Sequence, residues 1–149
     1  MVDTAHLPAG SGEVRCVVVT PEKALADETA QFVVLPMYDG ELGVLPGRLP
    51  LIGRLGYGEL RIQQGNHIKK YFVDGGFAQV RNDVVTVLTS RAVEAEKIDV
   101  RAAEQALQQA LTVPTTTPEE ADANYKTQER ARAQLRVAGQ SGAAAGHHA

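Results

Sequence analysis

Chemistry at a protein surface needs a nucleophile, a titrating base or a set of metal ligands, and this 149-residue chain offers few of them. His147 and His148 lie beside the C-terminus, and His6 and His67 share no metal-ligand spacing with each other or with Cys16. No glycine-rich phosphate loop precedes a Lys-Ser or Lys-Thr pair. Asp74-Gly75-Gly76-Phe77 has the composition of a phosphate cradle but no helix after it, and is read as a hairpin turn. Cys16 sits inside the apolar run of residues 14–19 as a small buried hydrophobe, and a lone cysteine excludes an internal disulfide, as suits a reducing cytoplasm. Neither catalysis, a metal nor a cofactor is therefore expected. What remains is display. Glu41 stands between Gly40 and Gly43, which can hold its carboxylate out on a tight turn. Farther on, Lys126, Arg130, Arg132 and Arg136 outnumber the single acid Glu129 between Asn124 and Gln140. Unpaired like charges on one helix repel, so the excess reads as complementarity to an acidic partner.

The elements that must carry these groups follow from composition. A net charge of −3 and a pI near 5.8 argue against a general nucleic-acid binder. The N-terminus lacks a basic segment and a long apolar run, and nothing approaches the roughly 18 apolar residues of a membrane span, so no direct membrane insertion is expected. Much of the 44% hydrophobic content is alanine in the last third, leaving the core to Val, Leu and Ile of the first ninety residues.

Residues 1–13 read as a loose tail. From residue 14 to about 92, short β-branched and alternating runs are broken by Thr20-Pro21, Pro36, Pro46-Gly47, Gly65-Asn66 and Asn82-Asp83, the pattern of an antiparallel β-sandwich. After Ser90 glycine vanishes and Ala, Glu and Gln take over, which is a helix composition. Asp99 is the expected N-cap of a first helix, with Ala103, Leu107, Ala110 and Leu111 on one face. Pro114 and Pro118 break the run, Thr117-Pro118-Glu119-Glu120 has the form of a capping box, and the second helix is expected to stop at Gly139. Residues 93–138 thus form a helical hairpin and 139–149 a disordered tail. An alanine methyl contributes only about 0.8 kcal/mol on burial against roughly 1.5–3 for Leu or Val, so such a hairpin docks weakly and can serve as a two-state element.

The phrase Asp39-Gly40-Glu41-Leu42-Gly43-Val44-Leu45-Pro46-Gly47-Arg48-Leu49-Pro50-Leu51, preceded by Val19-Thr20-Pro21-Glu22 and followed by Val73-Asp74-Gly75-Gly76-Phe77, resembles the ε subunit of the bacterial rotary ATP synthase in order, spacing and residue type. The resemblance runs from about residue 14 to about residue 138. It implies a non-catalytic central-stalk subunit of a proton-translocating complex, peripheral on the cytoplasmic side of the cell inner membrane. In that family the sandwich lies between the γ subunit and the c-subunit ring, and the hairpin folds on the sandwich or extends toward the α and β subunits to obstruct ATP hydrolysis. Glu41, with Leu42 and Gly43, matches the position that meets the polar loop of the ring, and Arg48 stands where the family usually has His. Lys126, Arg130, Arg132 and Arg136 would then face acidic loops of the β subunits. Some members bind ATP through Ile/Leu-Asp-x-x-Arg-Ala, but in Ile98-Asp99-Val100-Arg101-Ala102 the arginine comes one residue early, a rotation of about 100° around a helix. Arg130 is followed by Gln134 where nucleotide-binding members have a second arginine. Both departures argue against Asp99, Arg101 and Arg130 forming a nucleotide site. A reading from another class is a free-standing nucleotide- or small-ligand-binding sensor, separable because a rotor subunit co-purifies with γ and the c ring.

Overall fold

The β-branched runs form eight strands: β1 (Val14–Val19), β2 (Ala24–Ala30), β3 (Phe32–Met37), β4 (Gly40–Val44), β5 (Leu51–Gln64), β6 (His67–Arg81), β7 (Val84–Leu88) and β8 (Ala92–Glu94). A 3₁₀ turn (Ala95–Lys97) leads into helices α1 (Val100–Thr112) and α2 (Pro118–Gly146). This computed structural model describes the backbone of residues 12–146 and the side chains of residues 12–139. The expected loose tail lies, up to residue 11, outside the described residues, as do His147 and His148.

The strands are hydrogen-bonded in the order β2-β1-β7-β6-β5-β3-β4, with β8 added on β6. The sheet folds over on itself, so that β1 faces β3 and β2 faces β5 across the core of the sandwich. Alternation places Leu60 and Ile62 of β5, Val80 of β6, Val85 and Val87 of β7, and Cys16 and Val18 of β1 inward, where each is fully or almost fully buried. Burial pushes the Cys16 thiol up to about 12, so it packs as a hydrophobe.

Four local expectations are corrected. The β1–β7 ladder is parallel, while the others are antiparallel. Turn residues reveal only hairpins between sequence neighbours, and this pair joins the first strand to the seventh. Asp74-Gly75-Gly76 is not a hairpin turn, because β6 runs straight through it. Gly75 and Gly76 take φ of 70° and 109°, and a Cβ on Gly76 would stand 2.0 Å from the Leu88 carbonyl oxygen. The glycines let β6 and β7 approach closely instead of reversing the chain. Leu111 does not share the packed face of α1, since Ala103 and Ala110 are buried while Leu111 is 50% exposed. Finally, α2 continues past Gly139 to Gly146, so the part of the expected disordered tail that is described is helical backbone. Gly139 and Gly142 each cost a helix only about 1 kcal/mol relative to alanine, and no proline stands between them and Gly146 to end it.

The helix caps form largely as the sequence indicates. The Asp99 carboxylate accepts the Ala102 N–H at 3.0 Å, and the Thr117 hydroxyl accepts the Glu120 N–H at 3.1 Å. The Glu120 carboxylate reaches back one residue beyond the usual box and accepts the Thr116 N–H at 2.9 Å. Asn124 of α2 donates to the Ala110 carbonyl of α1 at 2.9 Å, tying the two helices together.

Candidate functional site

Two surfaces carry the residues singled out above. At the first, Tyr38 and Asp39 make the turn between β3 and β4, and Gly40 enters β4 with φ of 135°. Glu41 therefore sits in an edge strand opposite Pro36, not on the turn itself. Its carboxylate is exposed but paired, since the Arg61 guanidinium donates to it at 3.1 and 3.3 Å. Leu42 is half-buried against the core, and Gly43 leaves room for the Phe32 ring, 3.0 Å from where a Cβ would stand. Glu41 and Leu42 line a shallow hollow with Tyr38, Ile52 and Arg54, whose guanidinium lies 4.6 Å from the Tyr38 ring centre. Arg48 is not part of that hollow. It is exposed in the β4–β5 loop, where its N–H donates to the Leu45 carbonyl at 3.3 Å and the Gly47 N–H donates to the buried Asp83 carboxylate at 2.8 Å.

Sequence reasoning missed the apolar groups around this end. Leu49 and Ile52 are 78% and 74% exposed, and Leu45 is exposed beside them in sequence. On the outer face of the sheet, exposed Phe77 pairs with Leu88 on one side and Arg54 on the other. The available signal was Leu45 and Leu49 standing beside prolines in a stretch otherwise rich in turn residues. Large apolar side chains held in water at one end of a β-sandwich fit a protein contact.

The second surface is the docked hairpin. Phe72 of β6 is fully buried under Ala133 and Val137 of α2 and Ala95, with Tyr57 and Ile98 at the margin. Arg130 is turned inward to the sandwich: its Nε donates to both oxygens of Asp74 at 3.0 and 3.1 Å, and its guanidinium lies 5.1 Å from the Tyr57 ring centre. The Asp74 side chain is only 10% exposed. Its backbone is fixed as well, because the Asp74 N–H donates to the Thr89 hydroxyl and the Ser90 hydroxyl donates to the Asp74 carbonyl. The four cations thus do not form one face. Lys126 pairs with Asp122 at 3.5 Å, Arg130 is committed to Asp74, and Arg132 and Arg136 are exposed.

Asp99 and Arg130 border one hollow of about 510 Å³ between the helices and β8, together with Arg91, Lys97 and Gln134. Arg101 is exposed and does not line it. The early arginine therefore points elsewhere, as the helical offset requires. No group of His, Cys, Asp or Glu suited to a metal occurs among the described residues.

Residues 13–95 match the family described as ATP synthase, Delta/Epsilon chain, beta-sandwich domain. The ATP synthase epsilon chain of Rhodopirellula baltica is 55% identical over 124 residues, covering 83% of this chain and 97% of the relative. That of Desulforamulus reducens is 47% identical over 93 residues, 62% of this chain and 70% of the relative. Among solved structures, a chain of the Euglena gracilis mitochondrial ATP synthase OSCP/F1/c-ring assembly superposes with a TM-score of 0.67 at 25% identity, covering 91% of this chain and 82% of that one. A chain of the Tetrahymena thermophila mitochondrial ATP synthase central stalk/c-ring assembly shares the fold, with a TM-score of 0.65 at 14% identity over 84% of this chain and 96% of that one. A sandwich with an exposed acid on its edge strand and exposed leucines, a helix pair laid over Phe72, a family match over residues 13–95 and a relative 55% identical over 83% of the chain lead to one conclusion: the chain belongs to the ATP synthase delta/epsilon family.

Proposed function

We propose that the chain is the non-catalytic rotor subunit of a proton-translocating ATP synthase, joining γ to the c-subunit ring through its sandwich and regulating ATP hydrolysis through its helix pair. The observation that carries this is the presence, in one family member, of an exposed acidic and apolar sandwich end and a helix pair docked mainly through small residues. The relatives are ATP synthase epsilon chains, and the similar solved chains come from F1/c-ring and central stalk/c-ring assemblies. No helix among the described residues is long and apolar enough to cross a membrane, so attachment runs through partners. We place the complex at the cell inner membrane, with this subunit peripheral on its cytoplasmic side.

Glu41, Leu42, Gly43 and Arg48 face the polar loops of the ring in this reading, and exposed Leu49 and Ile52 extend the contact. Arg132 and Arg136 meet acidic loops of the β subunits once the hairpin extends. Arg130 cannot do so while Asp74 holds it, so its two roles belong to two states of the hairpin. Nucleotide regulation is not part of the proposal, since Arg101 faces away from the hollow that Asp99 and Arg130 share.

Two experiments test this. After detergent extraction of membranes, the subunit should co-purify with γ and the c ring, whereas a free-standing sensor would remain in the soluble fraction. Deleting residues 114–149 should raise ATP hydrolysis by the reconstituted complex while leaving assembly intact. Replacing Arg132 and Arg136 by Ala should reproduce part of that gain, and less of it at high salt, where screening weakens the same contacts in the unmutated complex. Unchanged hydrolysis on deletion would make the hairpin a passive lid.

A further inference from the structure

Glu41 is exposed, yet its carboxylate is not free to sample every rotamer. Arg61 of β5 reaches across β3, where Val34 is paired with both Arg61 and Gly43, and grips both oxygens of Glu41. The same guanidinium donates to Glu59 at 2.9 Å. Glu59 is 7% exposed and lies directly opposite Phe72, the residue that Ala133 and Val137 cover. One planar cation therefore joins a displayed carboxylate on the edge strand to a buried one on the face that carries the hairpin. An isolated exposed ion pair contributes little, but a bidentate arginine within a network of charges is the exception.

We infer that Arg61 is a positioning residue: anchored on Glu59, it fixes the Glu41 carboxylate on β4 in the orientation in which a partner meets it. The partner chemistry this selects is a polar or cationic loop that approaches a carboxylate already aligned and partly neutralised, not a freely rotating acid. The hydrogen bonds from Arg61 to Glu41 and then to Glu59 raise the guanidinium pKa further, so Arg61 stays charged at any physiological pH. Lysine can replace it only in part, because a single ammonium lacks the fork that holds two oxygens of one carboxylate while touching another. The functional part of this inference rests on the reading of Glu41 as a ring contact.

The test has one arm that depends on that reading and one that does not. In the full chain, ¹⁵N NMR should show slowed rotation of the Arg61 Nη groups relative to exposed Arg81. Glu41→Gln, a change at an exposed edge that the fold tolerates, should make that rotation several-fold faster, and Glu59→Gln should do the same. Rotation of Arg61 as fast as that of Arg81 in the unmutated chain overturns the positioning role. In the second arm, affinity for a complex depleted of this subunit should fall about two- to fivefold in Glu41→Gln and by a similar factor in Arg61→Gln. The double variant should be no worse than either, and Arg61→Lys should fall between Arg61→Gln and the unmutated chain. Additive losses overturn the inference. Slowed Arg61 rotation with undiminished affinity of Glu41→Gln upholds the positioning and removes Glu41 from the ring contact.

Discussion

Leu60 and Phe72 lie on adjacent strands and are both fully buried, but they are covered by different parts of the molecule. Leu60 points into the sandwich among Val, Leu and Ile side chains from both layers. Phe72 points the other way and is covered by Ala95, Ala133 and Val137, with an ion pair and a cation–ring contact at the edge. The first interior is closed by strands hydrogen-bonded to one another, so none can leave alone. The second is closed by a helix pair joined to the sandwich through one short connection. Its apolar gain is small: about 0.8 kcal/mol for each alanine methyl, and roughly 1.5–3 kcal/mol for the phenylalanine that detachment returns to water. Alanine alone would make docking weaker than it is. Phe72 and the Asp74–Arg130 pair supply the rest, so the hairpin is held in place but remains separable.

This contrast can be attacked from both sides, and the largest effect should come from the sandwich. Gly76→Ala forces a side chain into the Leu88 carbonyl at a φ that alanine avoids, a loss of about 3 kcal/mol or more that calorimetry should register as collapse of the whole molecule. Leu60→Ala should cost about 2–5 kcal/mol in denaturant titrations, again with loss of all structure together. Val137→Ala should cost about 1.5 kcal/mol, two methylenes' worth, and loosen only the hairpin, as read by proteolysis of α2 with the strands intact. Were Val137→Ala to destabilise the strands as Leu60→Ala does, the two interiors would be one. Asp74→Asn should weaken docking by about 1 kcal/mol, an effect that shrinks with added salt because Arg130 is partly exposed. The smallest effect at neutral pH belongs to Cys16. Its native pKa is raised from about 9 to about 12, so the folded state retains a proton that the unfolded state loses between those values. Stability is then unaffected by this group below pH 9 and falls as pH rises from 9 to 12, and the native thiol should resist alkylation at pH 8.

Much of this contrast was legible in the residue types. β-branched runs between Pro, Gly and Asn gave the strands, and the shift to Ala, Glu and Gln after Ser90 gave the helices. What escaped were pairings between residues far apart in sequence. Nothing near Arg130 announces Asp74, and nothing near Glu41 announces Arg61, because each pair is made only when distant strands and helices are assembled. The parallel β1–β7 ladder was hidden for the same reason. Gly75-Gly76 misled in a different way, since a glycine pair that reverses a chain and one that allows close strand approach look alike until the neighbouring carbonyl is in place.

Native-state hydrogen exchange on the full chain, resolved residue by residue, probes the contrast directly. Amides of α1 and α2 should exchange through an opening that leaves β5, β6 and β7 protected, at a free energy well below that of global unfolding and lowered further in Asp74→Asn. If helix and strand amides exchange through the same global opening, and Asp74→Asn shifts both equally, the hairpin is not a separable element and its proposed regulatory movement has no physical basis.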